Sequence, residues 1–447
     1  MSAPFPARLR VRRLWVLMVT AFVDMMGFAL ILPLLPLYAT RFGARPFVIG
    51  LLLAAFAFAQ LITAPLWGRL SDRVGRRPVL LFGQILAAVA FALFAVADRA
   101  APSPLAADKP ATIEVAAGQG FDGFEGLAHQ MTPAVLLLFI CRLVQGAGGG
   151  TISVNQAYVS DVAGPEERAK ALGWITAASS VGVMLGPAIG SFSVPISAAA
   201  PGVIAAAMAA LNVLFVWRFL PESSNRAAKP RAHSPILPAI HAVLARPLLP
   251  VNMLISVYAI AMMAFMAMNA IMALFLAERF GITEESIGWF YVVVGAVSVV
   301  MRAVVLGRVV SLWGEVRVLR TGIALLAVGM VLAPLAQTPG TFLLAIALVP
   351  AGTAMLFPCT TSLVSRHAAA GEIGQTLGVQ QSFGGMSRLL GPVLAGAIFQ
   401  QVGARATFWT AACLVVLSGF AATRLHPAQA PSAERRAVEM PPPPAGP

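Results

Sequence analysis

Asp24 and Arg142 are the residues best placed for chemistry, because each is a charge set deep in an apolar run. Hydrocarbon tolerates such a charge only in a polar cavity or beside a partner. Asp24 lies ten residues from one end of the run 14–38, about 15 Å along a helix. Arg142 lies nine residues from the opposite end of the run 133–157, about 13–14 Å. Both positions are near a bilayer midplane. The expectation is one shared cavity, with Asp24 as the proton-coupling group and Arg142 beside it; the competing reading is a structural ion pair that never titrates. In general, burial disfavours an ionised carboxyl and a nearby cation favours it, so a cavity that wets and dries alternately would move a proton. Of the 18 acids only Asp24 lies well inside an apolar run, and none of the 5 histidines does.

Further polar groups in apolar runs are candidates to line a substrate cavity: Gln60, Gln145, Asn155, Gln156, Asn212, Asn252, Asn269, Gln380 and Gln381. Some of these amides are expected to bridge helices instead. Arg388 lies too deep to reach a membrane surface and is read as a cavity or ion-pair residue, whereas Arg302 is close enough to an end to snorkel. Paired acids, a histidine cluster and a nucleophile–base set are all missing, which argues against an enzyme. Cys141, Cys359 and Cys413 are scattered through apolar runs, so neither a disulfide framework nor a metal site is expected. No cofactor is expected beyond protons as coupling ion.

The elements that must position these residues follow from composition. Of 447 residues 59% are hydrophobic and only 11% charged, with mean hydropathy +0.83. A soluble domain carries about a quarter charged residues, so a water-exposed coat is excluded. Runs near 20 apolar residues cross a bilayer as helices. Twelve are predicted, numbered here as spans 1 to 12: 14–38, 47–67, 78–97, 133–157, 170–195, 201–220, 248–276, 286–306, 318–336, 341–362, 373–398 and 404–423. With the N-terminus inside, only Arg41, Arg45, Arg99, Lys109, Arg279 and Arg405 of the 31 basic residues fall in outer loops. This asymmetry predicts both termini on the cytoplasmic side. The net charge of +13 is then a property of inner loops, and nucleic acid is not an expected partner. Trp15, Trp67, Trp174, Trp217 and Trp289 sit near span ends, as interfacial anchors do.

The chain also repeats itself. Gly68–Leu80 aligns with Gly307–Leu319 at an offset of 239, and Glu167–Pro187 aligns with Glu372–Pro392 at an offset of 205. The paired Gly186-Pro187 and Gly391-Pro392 belong to the second match. Two parallel six-span halves are implied, as in transporters built from repeats. The expected fold is therefore all-α and integral to the membrane, with 12 transmembrane helices in two pseudo-symmetric bundles. The expected units are a short inner N-terminus (1–13), a first bundle (14–220) with an inserted outer loop (98–131), an inner linker (221–247), a second bundle (248–424) and a disordered tail (425–447). The lipid bilayer and a small-molecule substrate are the expected partners, and a monomer the expected state. Gly146-Ala-Gly-Gly-Gly150 looks superficially like a phosphate loop, but it lies in a span without a lysine, so ATP is excluded.

Gly68-Arg-Leu-Ser-Asp72-Arg73-Val-Gly75-Arg76-Arg77-Pro78 reads as a short inner loop whose acid and arginines suit reversible ion pairs. Here the chain resembles the major facilitator superfamily, and among its members the twelve-span drug:proton antiporters that include the tetracycline exporters. The resemblance covers about residues 10–424. Phe22-Val-Asp24-Met-Met-Gly27 with Leu32-Pro33-Leu-Leu-Pro36 resembles the family's first-span motif. Arg142-Leu-Val-Gln145-Gly146 resembles its span-4 motif, which implies a part for Arg142 in proton transfer. Gly182-Val-Met-Leu-Gly186-Pro187-Ala-Ile-Gly190 resembles the span-5 motif of exporters, except that Ser191 stands where a second glycine is usual. The second half has Ser311 opposite Asp72 and no membrane acid. The resemblance implies that Asp72 meets the inner end of span 11 when the protein opens outward, with Arg76 and Asp161 completing a gate. It implies proton-coupled export of a small amphipathic drug or metabolite across a bacterial inner membrane. A symporter or uncoupled facilitator is the first alternative, and a non-transporting receptor or scaffold the second.

Overall fold

The structure is a computed structural model that describes residues 7–97, 130–163, 165–223, 245–368 and 372–423, with single positions at Gly126, His241 and Val243. The expected insertion lies almost wholly outside the described residues, as do most of the linker and the tail. Twelve helices are long and apolar enough to cross a membrane. They are span 1 (Leu14–Arg41), span 2 (Pro46–Val74), span 3 (Arg76–Ala97), span 4 (Pro133–Val162), span 5 (Ala171–Ser193) and span 6 (Ala200–Phe219). The second set is span 7 (Pro250–Phe280), span 8 (Ile287–Trp313), span 9 (Glu315–Leu335), span 10 (Pro339–His367), span 11 (Ile373–Val402) and span 12 (Ala404–Thr423). Every predicted span is present, and no strand occurs among the described residues. An even number of crossings puts the start of span 1 and the end of span 12 on one side, called here the termini face; the other is the far face.

Several helices outrun their apolar stretches. The predicted loop 68–77 is the clearest correction: the span 2 helix runs on to Val74 and span 3 begins at Arg76. Only Gly75 stands between them, at φ 106°, a conformation that a Cβ makes costly. Gly314 turns spans 8 and 9 in the same way at φ 77°, one repeat offset of 239 away.

Packing confirms the repeat at the level of pairs. Span 1 packs on 5 and 6, span 3 on 4 and 6; span 7 packs on 11 and 12, span 9 on 10 and 12. The two sets of contacts are the same with six added to each number. The bundles meet mainly where span 2 lies on span 11 and span 5 on span 8. Lipid gives apolar side chains no reason to leave it, so helices associate through close packing, which small residues allow. Gly182, Gly186 and Gly190 put a bare edge of span 5 against the span 1 backbone at Phe22, Met26 and Leu30. A Cβ on Gly186 would come within 2.6 Å of the Met26 carbonyl oxygen, and one on Gly391 within 2.7 Å of the Met263 oxygen in span 7. Span 4 is pinched likewise: its glycine run fits between Phe56 and Thr63 of span 2 and Gly83 of span 3.

Gly186→Val should therefore lower the thermal unfolding midpoint of the purified protein, with an overpacking cost of about 1–3 kcal/mol. Gly173→Val should not, because open space surrounds that position. Equal midpoints for the two variants would contradict this packing.

Candidate functional site

Asp24 points into the first bundle, between spans 1, 3 and 6. Its carboxylate accepts hydrogen bonds from the Gln84 amide at 2.6 Å and the Asn212 amide at 3.2 Å, and Asn212 also donates to the Gln84 oxygen at 3.0 Å. Gln84 and Asn212 are buried while Asp24 is partly exposed. Arg142 is elsewhere. It is 1% exposed, lies over the rings of Phe28 and Phe56 with its guanidinium carbon 5.6 and 4.9 Å from their centroids, and donates to Gln145 at 2.5 Å. The competing reading, a structural ion pair between Asp24 and Arg142, is not what the structure holds: no ion pair joins them. Two amides serve the carboxylate, and two aromatic faces with a third amide serve the cation. Asn212, expected among the cavity amides, is instead an Asp24 ligand. Gln84 was missed altogether, although an amide amid the apolar run of span 3 was visible in the sequence.

The remaining cavity candidates divide. Gln60 donates to the Gly149 carbonyl at 3.1 Å, and Trp67 donates to Ala147 at 2.7 Å. These carbonyls are freed where span 4 breaks between its helices Pro133–Gly149 and Ile152–Val162, so Gln60 serves packing. Asn155 is partly buried with its amide oxygen unpartnered, and Gln156 is exposed. Asn252 lies at the start of span 7 and donates to the Arg246 carbonyl at 2.9 Å, which places it at a helix end rather than at mid-membrane. Asn269 turns back on Phe265 of its own helix at 2.9 Å. Gln380 is buried and donates to Thr361 of span 10 at 3.0 Å. Gln381 and Arg388 come together around the hydroxyl of Tyr258, a residue of span 7 that sequence reasoning passed over. Arg302 is exposed, within a π-helical turn at Met301–Val305.

The close contacts across the seams between the bundles lie on the far half, and toward the termini face span 11 is exposed. On the far half, Gly50 of span 2 packs on Pro392 of span 11, Gly396 packs on Pro46, and Phe47 N–H donates to the Gln400 amide oxygen at 3.2 Å. Across the other seam, the Ser191 hydroxyl donates to the Glu284 carbonyl and accepts from Gly288 N–H at 3.1 Å. Arg41 reaches Glu284 at 3.7 Å. Toward the termini face, Gly374 and Gly378 of span 11 are exposed with open space where a Cβ would stand. Ser191 is the counterpart of Gly396 at the offset of 205, so its hydroxyl bonds a backbone that its counterpart merely packs against.

At the termini face the residues expected to gate form a compact cluster. Asp72 pairs with Arg76 at 2.6 Å, and Arg76 reaches Asp161 of span 4 at 3.3 Å and Ser71 at 2.5 Å. Gly68 and Arg73 lie on the last turns of span 2, and Arg77 donates to the Trp217 carbonyl. Glu222, just past span 6, was missed. Its carboxylate accepts from the backbone N–H groups of Arg76 (2.7 Å) and Arg77 (3.2 Å) at the start of span 3. An anion there is stabilised by the free amides and the helix dipole. A Cβ on Gly75 would lie 2.7 Å from Glu222 Oε2, so a larger residue would displace this carboxylate besides having to adopt the positive φ.

The second half carries the same pair with its charges exchanged. Glu315 accepts from Arg366 at 3.0 Å and from Ser362 at 2.8 Å. The offsets of 239 and 205 carry Arg76 onto Glu315 and Asp161 onto Arg366. Identities alone do not mark this pair, because the repeat keeps its charge complementarity and not its residues.

With this geometry in place, comparison with known proteins is direct. The chain matches the family described as Major Facilitator Superfamily over residues 17–314 and 254–445. It is 27% identical over 407 residues to the tetracycline resistance protein, class C, of Escherichia coli, covering 90% of this chain and 92% of that one. It is 25% identical over 392 residues to multidrug resistance protein 2 of Bacillus subtilis (strain 168), covering 86% and 88%. Among solved structures, a D-xylose-proton symporter superposes with TM-score 0.70 at 18% identity, covering 94% of this chain and 98% of that one; at that identity the likeness is one of fold.

Two outcomes test the site. Ser191→Ala removes one hydrogen-bonding hydroxyl, worth about 1 kcal/mol net. It should shift the ratio of far-face-open to far-face-closed molecules roughly fivefold, read by spin-label distances between spans 5 and 8. Arg76→Glu and Asp161→Arg should each impair transport. The double exchange copies the second half's polarity and should recover much of it; a double variant no better than the singles would count against the pair.

Proposed function

We propose that this chain, which belongs to the Major Facilitator Superfamily, exports a small amphipathic compound in exchange for protons. It is a multi-pass membrane transporter and not an enzyme. The tetracycline and multidrug resistance proteins among its relatives support the export direction and the drug-like substrate. The termini face is taken as cytoplasmic and the membrane as a bacterial inner one. The form described is then the inward-open state, with the far-face seams closed.

The observation that carries the reading is the setting of Asp24. A carboxylate paired with a buried arginine cannot be neutralised without stranding the cation, at a cost of about 3–5 kcal/mol. Asp24 has no such partner; two neutral amides hold it. An amide donates to a carboxylate through its nitrogen and accepts from a carboxylic acid through its oxygen. The Asn212 oxygen is buried without a donor, so a protonated Asp24 finds an acceptor once that amide turns over. The turn costs the Gln84 oxygen its Asn212 donor, a neutral hydrogen bond, but it strands no charge. Span 1, which bears Asp24, lies against span 5 along the glycine edge, and span 5 carries the far-face contact to span 8. A change of charge on span 1 is linked through this packing to the side on which the seams open. In the outward-open form, Asp72 would leave its present pair with Arg76 for the termini-face end of span 11.

The enclosed position of Asp24, away from the seam, favours one second reading: the trio is a structural tie and the protein an uncoupled facilitator. Asp24→Asn decides between them. In everted membrane vesicles, proton-gradient-driven uptake of a fluorescent drug should fall more than tenfold in this variant, by about 1.4 kcal/mol or more in driving interaction. Exchange down a substrate gradient should survive. Undiminished gradient-driven uptake in Asp24→Asn would overturn proton coupling through this group.

A further inference from the structure

The deep end of the opening holds a cation that no acid among the described residues neutralises. Arg388 is partly exposed, and no described acid lies within 4.0 Å of it. Side chains on a helix lean toward its N-terminus, so Arg388 reaches back along span 11 toward the termini face. Its guanidinium nitrogens stand 3.6 Å from where a Cβ of Gly384 would be and 3.9 Å from that of Gly385. Gly384 faces Tyr258 of span 7, and Gly385 faces Leu61 of span 2 in the other bundle. The guanidinium therefore sits at the seam between the halves, just before span 11 runs out past the exposed Gly378 and Gly374.

Donors converge there. The Tyr258 hydroxyl is in hydrogen-bonding reach of both Arg388 and Gln381. When its oxygen accepts from Arg388, its O–H is free to donate. Gln381, exposed on the open side, adds two N–H groups. A guanidinium presents five donors, and one phenol oxygen satisfies a minority of them. Behind this group stands an aromatic wall: the Tyr258 and Phe357 rings are 5.3 Å apart edge to face, and Phe265 lies 6.2 Å from Phe357. A charge at this depth is retained at substantial cost.

We propose that Arg388, Tyr258 and Gln381 form an anion-binding subsite, and that the compound carried is an amphipathic organic anion, with a carboxylate or sulfonate on an aromatic body. The acidic group takes the guanidinium as a bidentate partner. The ring system lies along Tyr258, Phe357 and Phe265. This assignment rests on the export reading above for the direction of travel, but binding alone tests it.

The test uses two dyes with a common xanthene body, anionic carboxyfluorescein and cationic rhodamine 6G. Their binding to the full-length protein in lipid nanodiscs is read by fluorescence anisotropy. Wild type should bind the anion in preference to the cation. Arg388→Gln should weaken anion binding at least tenfold, Tyr258→Phe by roughly threefold, and Arg388→Lys less than Arg388→Gln, as loss of charged and neutral hydrogen bonds dictates. Tyr258→Phe and Arg388→Lys keep the test decisive if the glutamine variant does not fold. Wild type that binds neither dye, or prefers the cation, overturns the subsite, as do variants that bind the anion like wild type. Anion binding that persists in Asp24→Asn, with gradient-driven uptake intact in that variant, faults the proton-coupling reading alone.

Discussion

A bilayer supplies no hydrogen bonds, so every polar group at mid-depth must be answered from within the protein. That one constraint explains most of what is distinctive in this molecule. It turns twelve apolar stretches into helices, whose backbones satisfy themselves. It also sorts the deep charges by how each is answered. Asp24 is held by amides of spans 3 and 6, Arg142 by two phenylalanine faces and Gln145, and Arg388 by the Tyr258 phenol alone. The first is answered by neutral donors alone, the second is sealed, and the third is left short of an acceptor. Where span 4 breaks, the same rule brings Gln60 and Trp67 across from span 2 to take the loosened carbonyls.

The second organising fact is that the bundles touch through only two chief seams, and both seams use the Gly-Pro elements of the repeat. Gly50 meets the Pro392 carbonyl in one, and Gly288 lies 3.1 Å by its Cβ position from the Pro187 carbonyl in the other. Close backbone contact of this kind is strong in dispersion and weak in direction, so it breaks and reforms without leaving a charge exposed. Ser191 departs from the symmetry by adding a hydroxyl at one seam. Its two hydrogen bonds make the span 5–8 seam the more specific of the two, a bias toward the far-face-closed form.

The fold was almost fully legible because bilayer thickness is a ruler: apolar length alone located all twelve spans. The repeat offsets predicted which spans are equivalent, and the pair contacts agree. The site was less legible. Span membership does not fix the facing of a side chain, so the partners of Asp24 and Arg142, at similar depth on helices of one bundle, could not be read: each is answered by neutral groups and not by the other. Glu222 was hidden for another reason. It follows span 6 in the sequence but caps span 3, and such a tertiary cap leaves no local pattern. Tyr258 was passed over because a tyrosine in an apolar helix is ordinary until an arginine is found beside it.

The exchanged ion pairs bear most directly on how the gate works. Arg76–Asp161 and Glu315–Arg366 occupy equivalent places, each tying the helix after a glycine turn to the end of the span 4 or span 10 helix. Inverting the polarity preserves the attraction within each half but changes what faces the other half. In the first half the cation begins span 3, where it works against the helix dipole; Glu222 offsets this by presenting a carboxylate to the same amides. In the second half the acid itself begins span 9, where the dipole favours it, and no added cap is required. The extra acid of the first half, Asp72, is then the one member of the cluster whose bond is a partly exposed contact to a neighbour on the same face. Exposed pairs of this type are worth little, about 0–1 kcal/mol. Asp72 can therefore leave Arg76 for the positive end of span 11 at small cost, while Arg76 keeps Asp161 and the helix ends stay fixed. In the gating proposed above, one loop would move its charge and its counterpart, with Ser311 in that place, would not. A gate with a single mobile acid on one half has a defined direction of closure, which two identical halves would lack.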